Sequence, residues 1–215
     1  MRLRDHLGLS QRRQRQLSRA MQATLVGLVF VGLYDGNAGI VVNAAIGLGV
    51  THLPAVLERD YHLPMDPALT LWITAAVFLH ALGTAGLPGS TVNLYRSVPW
   101  WDHLTHTLSS SVVAAAGYAT ARAVELHSDD VSLPDRFMFV FILLFVLAFG
   151  VFWEVIEFGV TVVAELTGTR SVLVQYGLED TMLDLLFDTL GGVVVAVWGT
   201  AHLTDLAGAI SERFD

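Results

Sequence analysis

Six long apolar runs separated by short polar turns leave this sequence few ways to fold. They extend from Leu17 to Tyr34, Ala38 to Leu57, Ala68 to Leu87, Val98 to Val124, Phe137 to Val163 and Met182 to Leu203. A helix needs about 20 predominantly apolar residues to cross roughly 30 Å of hydrocarbon, and each run is close to that length or beyond it. Composition agrees: 53% of the 215 residues are hydrophobic and only 15% charged, which is too apolar for an ordinary soluble domain. The expected fold is all-α, a polytopic membrane protein whose six transmembrane helices form a compact bundle, with membrane lipids as its first partners.

The runs make residues 20–204 a single transmembrane domain, preceded by a basic arm (1–19) and followed by a short tail (205–215). Arg2, Arg4, Arg12, Arg13, Arg15 and Arg19 suit the arm to an anionic membrane surface. A cleaved signal peptide fits less well, because the run from Ala20 to Tyr34 ends in Asp-Gly-Asn without a small-residue cleavage site. Helix starts are legible in three places. Asp66-Pro67 sets a capping Asp before a first-turn Pro, and Ser97-Val98-Pro99 and Ser132-Leu133-Pro134 set a capping Ser ahead of a Pro.

Orientation follows from the arginines, which cytoplasmic loops retain. With the N-terminus inside, Arg59, Arg122, Arg136 and Arg213 join the six of the arm on the cytoplasmic side, leaving Arg96 and Arg170 outside. Both termini are then cytoplasmic, in a multi-pass protein of the plasma membrane. All 12 basic residues are Arg, against 20 Asp and Glu, for a net charge of -8. Such acidic usage is halophile-like, and a GC-rich genome produces the same bias. The chain has no Cys, so a bound metal would have to use oxygen and imidazole ligands.

The last three runs carry the chemistry. The fourth opens with Asp102 and His106, four apart and so on one helix face. The fifth holds Glu154 and Glu157 inside an otherwise uncharged stretch. The sixth opens with Asp180, Asp184 and Asp188, a single acidic stripe. Counted inward from the outer ends, Glu157 and Asp188 lie about 9 Å deep and His106 about 12 Å deep. A topology derived from arginines thus brings three separate polar clusters to one side and one level.

Intramembrane acids face a bundle interior or aqueous cavity and mark function, since a charge at mid-bilayer costs several kcal/mol. The six carboxylates cannot all ionise in close company without compensation, and lysine is absent. A divalent cation (Zn, Mn, Fe or Mg) held by Asp102, His106, Glu154, Glu157, Asp180, Asp184 and Asp188 fits best. Such a metal would polarise a phosphoryl or carbonyl oxygen or generate hydroxide, with Glu154, Glu157 or Asp184 as catalytic carboxylates. A site near headgroup level suits hydrolysis or transfer on a lipid or lipid-linked envelope substrate.

The segments "WWDHLTH", "WEVIEF" and "GLEDTMLDLLFDTLGG" resemble, in order and spacing, the motifs of the YjdF-type bacterial and archaeal membrane proteins, and more distantly those of the VanZ-like family. The resemblance covers roughly Leu17 to Leu203 and implies that the seven residues named above are the family's polar positions. Thr107 stands where that pattern has Phe, which changes the lining and leaves the candidate ligands in place. The resemblance implies a fold and a motif set rather than a reaction.

Several residues carry a plainer reading. Asp180 can cap its helix, Asp102 can be a first-turn acid favoured by the helix dipole, and the buried acids can form a mutually satisfied network. His80 is a weaker candidate ligand. His103, His52, His62 and His127 read as interfacial, Trp100, Trp101 and Trp153 as anchors and packing, and Asp35 and Asn37 as solvated. Ser109 to Ser111, Ala114 to Gly117 and Gly191-Gly192 read as close-approach surfaces between the fourth and sixth helices. Two rival functions remain open: a cation or proton transporter using the acids as a relay, or a scaffold using them to pair helices. Transport predicts polar residues continuing inward, and the inner halves of the last three runs are nearly all apolar. No phosphate-cradling glycine loop or serine elbow is present, and the arm is too short for nucleic acid binding.

Overall fold

The structure, a computed structural model, describes residues 9–85, 92–173, 175–199 and 203–214. Every regular element among them is helical: α1 (Gln11–Tyr34), α2 (Ala38–Val50), α3 (Leu53–Tyr61), α4 (Pro67–Ala85), α5 (Leu94–Ser97), α6 (Trp101–His127), α7 (Asp135–Thr167), α8 (Leu178–Val194), a π-helical turn (Val195–Gly199) and α9 (Thr204–Ser211). Arg2 and Arg4 of the arm, and Leu87 at the end of the third run, lie outside the described residues.

Among the described residues, four stretches are long and apolar enough to cross a membrane: Gln11–Tyr34, Ala38–Tyr61, Pro67–Ala85 and Asp135–Thr167. This is fewer than the six runs, for a physical reason. The 27-residue α6 carries Asp102, His103 and His106 in its first two turns, and the 17-residue α8 carries Asp180, Asp184 and Asp188. In α6 the polar first turns, the serines Ser109 to Ser111 and the pair Arg122 and Glu125 lower the apolarity by which a span is recognised, and α8 is short by itself and gains length only through the π turn.

The second run is not one uniform helix. Thr51 turns its hydroxyl back onto the Leu48 carbonyl at 2.7 Å, and Pro54 falls in the first turn of α3, where it cannot donate to the preceding turn. Of the three expected caps, Asp66 acts as such, accepting from the Ala68 and Leu69 N–H groups at 2.9 and 2.8 Å. The two serines do not. Ser97 closes α5 by donating to the Asn93 carbonyl, and α6 starts only at Trp101, after Pro99. Pro134 itself occupies the N-cap of α7 without a side-chain bond.

Two small cores organise the bundle. Leu25, Ala44 and Ala81 pack α1, α2 and α4 together. Ala114, Ala115, Tyr118, Met138, Ile142, Val146, Val195 and Leu203 join α6, α7, the π turn and the start of α9. Two tryptophans link the halves: Trp72 Nε1 donates to Ser111 Oγ at 3.0 Å, and Trp101 Nε1 donates to the Leu79 carbonyl at 3.2 Å. Trp101 is therefore tied into the bundle.

Helix α7 explains where the site sits. Its buried residues, Met138, Ile142, Val146, Gly150, Glu154, Glu157 and Ala164, follow one face at helical spacing, while Val140, Leu144, Val151, Val155 and Phe158 face outward. The inward stripe is apolar up to Gly150 and acidic at Glu154 and Glu157. An apolar outside with an acidic inside at one end is the arrangement of a helix whose surroundings are lipid and whose partners enclose something polar.

Candidate functional site

The acidic end of α7 meets the starts of α6 and α8. Helices α6 and α8 touch through Gly191, where an added Cβ would collide with Ser110 Oγ and the Thr107 carbonyl and lie 3.0 Å from the Ser111 nitrogen. The close-approach reading of Ser110, Ser111 and Gly191 holds. Gly150 does the same for α7: a Cβ there would strike Asp188 Oδ2 and come within 3.0 Å of Leu185 Cδ2. Without these two glycines the aspartates of α8 could not reach the histidine of α6.

His106 is the hub. Its Nδ1 lies 3.2 Å from Asp188 Oδ1, and its Nε2 lies 3.6 Å from Asp102 Oδ1 and 3.7 Å from Asp184 Oδ1. An ionised Asp188 can only accept, so Nδ1 donates to it, and Nε2 carries a lone pair when the ring is neutral. That lone pair points at two carboxylate oxygens, an arrangement that needs a proton or a cation among the three. Ligand atoms of Asp102, His106 and Asp184 all fall within 4.8 Å of one another. Asp184 is only 2% exposed, and its Oδ1 is buried without a hydrogen-bond partner among the described residues.

The other acids take distinct places. Glu154 is buried, accepts from Thr181 Oγ1 through Oε2 at 2.7 Å, and leaves Oε1 unpartnered; Gln175 Nε2 in turn donates to Thr181 Oγ1 at 2.9 Å. Asp180 accepts from the Tyr176 N–H at 3.2 Å, a capping role, and also lines the cavity described next. Glu157 is buried on the same cavity wall. The structure thus gathers Asp102, His106, Asp184 and Asp188 in direct contact, sets Glu157 and Asp180 around them, and ties Glu154 to Thr181 outside that contact.

A cavity of about 190 Å³ opens over Asp102, His106 and Asp184. The rest of its wall is made by parts of the chain that carry no acidic motif: Asn37, His80, Asn93, Tyr95 and the segment Arg170 to Leu173. Asn43, 6% exposed, organises that wall, donating Nδ2 to the carbonyls of Gly39 (2.9 Å) and Val172 (2.8 Å). Its Oδ1 then accepts from His80 Nε2 at 3.1 Å, and the Tyr95 hydroxyl meets His80 Nδ1 at 2.9 Å. Both ring nitrogens of His80 are engaged, so in this arrangement it is a strut between helices. Trp153 packs its edge on the same ring at 5.7 Å.

Three other expectations change. Asn37 is not merely solvated: its Oδ1 caps α2 by accepting from the Ile40 N–H, and the residue lines the cavity. His103 stacks on Phe187 of α8 at 4.1 Å. Asn93, Tyr95 and Arg170 were not singled out as site residues. For Arg170 the signal was in the arginine tally, which left it and Arg96 alone on the side that bears the acids.

Comparisons with known proteins agree with this architecture. An uncharacterized protein of Thermotoga maritima is 31% identical over 147 residues, spanning 66% of this chain and 67% of that protein. No solved structure matches the chain. The family described as "Predicted membrane protein (DUF2238)" matches residues 17–205, a stretch that includes every residue of the cavity and its acidic floor, and the chain belongs to that family.

Proposed function

We propose that the chain crosses the plasma membrane six times, with both termini in the cytoplasm, and holds a divalent cation (Zn, Mn, Fe or Mg) on its extracytoplasmic side for hydrolysis or group transfer on a lipid or lipid-linked envelope substrate. Two further spans are supported by length: α6 covers about 40 Å, and α8 with its π turn about 30 Å. Asp102, His106 Nε2 and Asp184 would hold the cation. The observation that carries the reading is Asp184 Oδ1, buried without a hydrogen-bond partner among the described residues and facing another carboxylate and His106 Nε2. Leaving a buried carboxylate unsatisfied costs more than the roughly 1–3 kcal/mol of a neutral group, so the trio takes up positive charge, and a cation held by all three ligand atoms supplies it.

When bound, the cation would supply Lewis-acid polarisation and an activated water. The protein's own residues would do the rest. Asp188 holds the His106 ring with Nε2 forward, as carboxylates behind metal-ligating histidines do. Glu157, in the wall and outside the ligand trio, is placed as general base. Below the cluster, Ala114, Ala115, Ile142, Val146 and Val195 close the bundle with apolar side chains, which favours a dead-end pocket over a conducting path.

Elemental analysis of the detergent-purified protein beside Asp184→Asn and His106→Ala tests the reading. Stoichiometric metal in the wild type, lost from both variants, is the expected result. A well-folded wild type that takes up none of the four metals on supplementation overturns it.

A further inference from the structure

The part of the cavity lining that carries no acids has the opposite chemistry. Arg170 lines the cavity yet makes no ion pair with a carboxylate among the described residues, although Asp102, Asp180, Asp184 and Glu157 line the same cavity. Its position is held by the chain on its C-terminal side: Val172 is gripped by Asn43, and the Leu173 carbonyl accepts from Thr161 Oγ1 at 3.4 Å. Two amides add to it. Asn37 Oδ1 is taken by the Ile40 N–H and Asn93 Oδ1 by the Arg96 N–H, so the group each has left over is its Nδ2 donor. One set of lining residues therefore offers carboxylate acceptors and His106 Nε2, and another offers a guanidinium and two amide donors.

We propose that this donor wall is an anion subsite, and that the ligand of the cavity carries a phosphate group set between Arg170 and the cation floor. The inference rests on the metal reading above and extends it to the substrate class. Phosphate suits both sides, because its oxygens can meet a cation on one edge and accept the paired N–H groups of an arginine fork on another. A carboxylate-lined cavity alone repels such a group, and the guanidinium of Arg170 together with a cation on the floor offsets that repulsion. Size sets a further limit. At about 190 Å³ the cavity is smaller than the roughly 300–1,000 Å³ that encloses a whole drug-sized ligand, so it admits a headgroup-sized fragment and leaves any acyl chain outside.

The test uses the full chain, with metal content measured in every sample. Inorganic phosphate and glycerol phosphate are titrated calorimetrically into detergent-solubilised protein, and phosphatidylglycerol is compared with phosphate-free galactolipid in nanodiscs. Arg170→Gln, at an exposed position, is expected to keep its metal and bind phosphate roughly ten- to a hundredfold more weakly, the loss of a charge-assisted pair. Arg170→Lys retains the charge without the fork and is expected to fall between. Binding of phosphatidylglycerol alone would identify a lipid headgroup as the source, and binding of the two soluble probes a free phosphate; either supports the subsite. Metal-replete wild type that binds none of the three phosphate probes, or binds them equally well after Arg170→Gln, overturns the subsite and leaves the metal reading standing. Absence of metal from wild type overturns the metal reading itself.

Discussion

Gly191→Ala and Gly192→Ala are adjacent substitutions for which the packing of α6 on α8 predicts opposite outcomes. A methyl group at 191 would sit against Ser110 Oγ and the Thr107 carbonyl, far inside van der Waals range, and 3.0 Å from the Ser111 nitrogen. Two of these three neighbours are backbone of α6 and cannot rotate away. Restoring ordinary contacts of about 3.5–4.0 Å means separating the helices by ~1 Å. The His106–Asp188 hydrogen bond, 3.2 Å long, would then leave hydrogen-bonding range. Overpacking of this kind costs about 1–3 kcal/mol, here toward the upper end, against about 1 kcal/mol gained from the better helix propensity of Ala. A methyl at 192 meets Leu143 Cδ2 and Val146 Cγ2 at 3.4 Å, an ordinary contact, and keeps the propensity gain. At roughly 2–4 °C per kcal/mol for a chain of this size, Gly191→Ala should lower the Tm by about 2–8 °C while Gly192→Ala leaves it unchanged or higher. Thermal unfolding in one detergent, followed by tryptophan fluorescence, measures both. Equal Tm values would refute the close approach of α6 and α8, and with it the route by which Asp184 and Asp188 reach His106.

Three further outcomes are expected. Asp188→Asn leaves the ligand trio intact but weakens the fixing of the His106 tautomer, so metal affinity should fall roughly 10- to 100-fold without vanishing, as competition with a chelator would show. Asn43→Ala frees the Val172 carbonyl, and trypsin should then cut after Arg170 faster than in wild type; an unchanged rate would mean that Asn43 does not hold that segment. The natural absence of cysteine makes single-cysteine labelling clean. In intact cells a membrane-impermeant maleimide should label Thr169→Cys and spare Ser128→Cys until the membrane is opened, and the reverse pattern would invert the topology.

The acidic floor was legible because helical spacing writes it into the sequence. Asp102 and His106, Glu154 and Glu157, and the Asp180 to Asp188 stripe each repeat at three or four residues within one helix, and depth from the helix ends aligned them. The donor wall had no such signature. Asn37, Asn43, His80, Asn93 and Arg170 are single residues on separate elements, and only tertiary packing of α2, α4 and the segment before α8 brings them to one surface. The cap expectations diverged for a related reason. A Ser two residues before a Pro fits a helix start, but Asn93 opened an earlier turn upstream of Ser97, and Pro134 took the cap position itself. The second run broke where Thr51 and Pro54 together spoil the backbone ladder, a local conflict that hydropathy does not register.

How many cations the acids require follows from which of them the protein already satisfies. Asp188 has the His106 N–H, Asp180 has the Tyr176 N–H, and Glu154 has the Thr181 hydroxyl on one oxygen. Glu157 lies on the cavity wall, where water can reach it. That leaves the demand for positive charge concentrated at one point, between Asp102, Asp184 and the Nε2 lone pair of His106. The remaining orphan, Glu154 Oε1, is outside that trio and shares its carboxylate with an oxygen already served. Dinuclear bundle sites use carboxylates that bridge two ions, and here the hydroxyl of Thr181 occupies the oxygen that Glu154 would need for bridging. A single ion per chain is therefore the ratio expected from elemental analysis, and Glu154→Gln should leave it unchanged. A ratio of two that falls to one in Glu154→Gln would show that Thr181 yields its place to a second ion and that the site is a dinuclear centre.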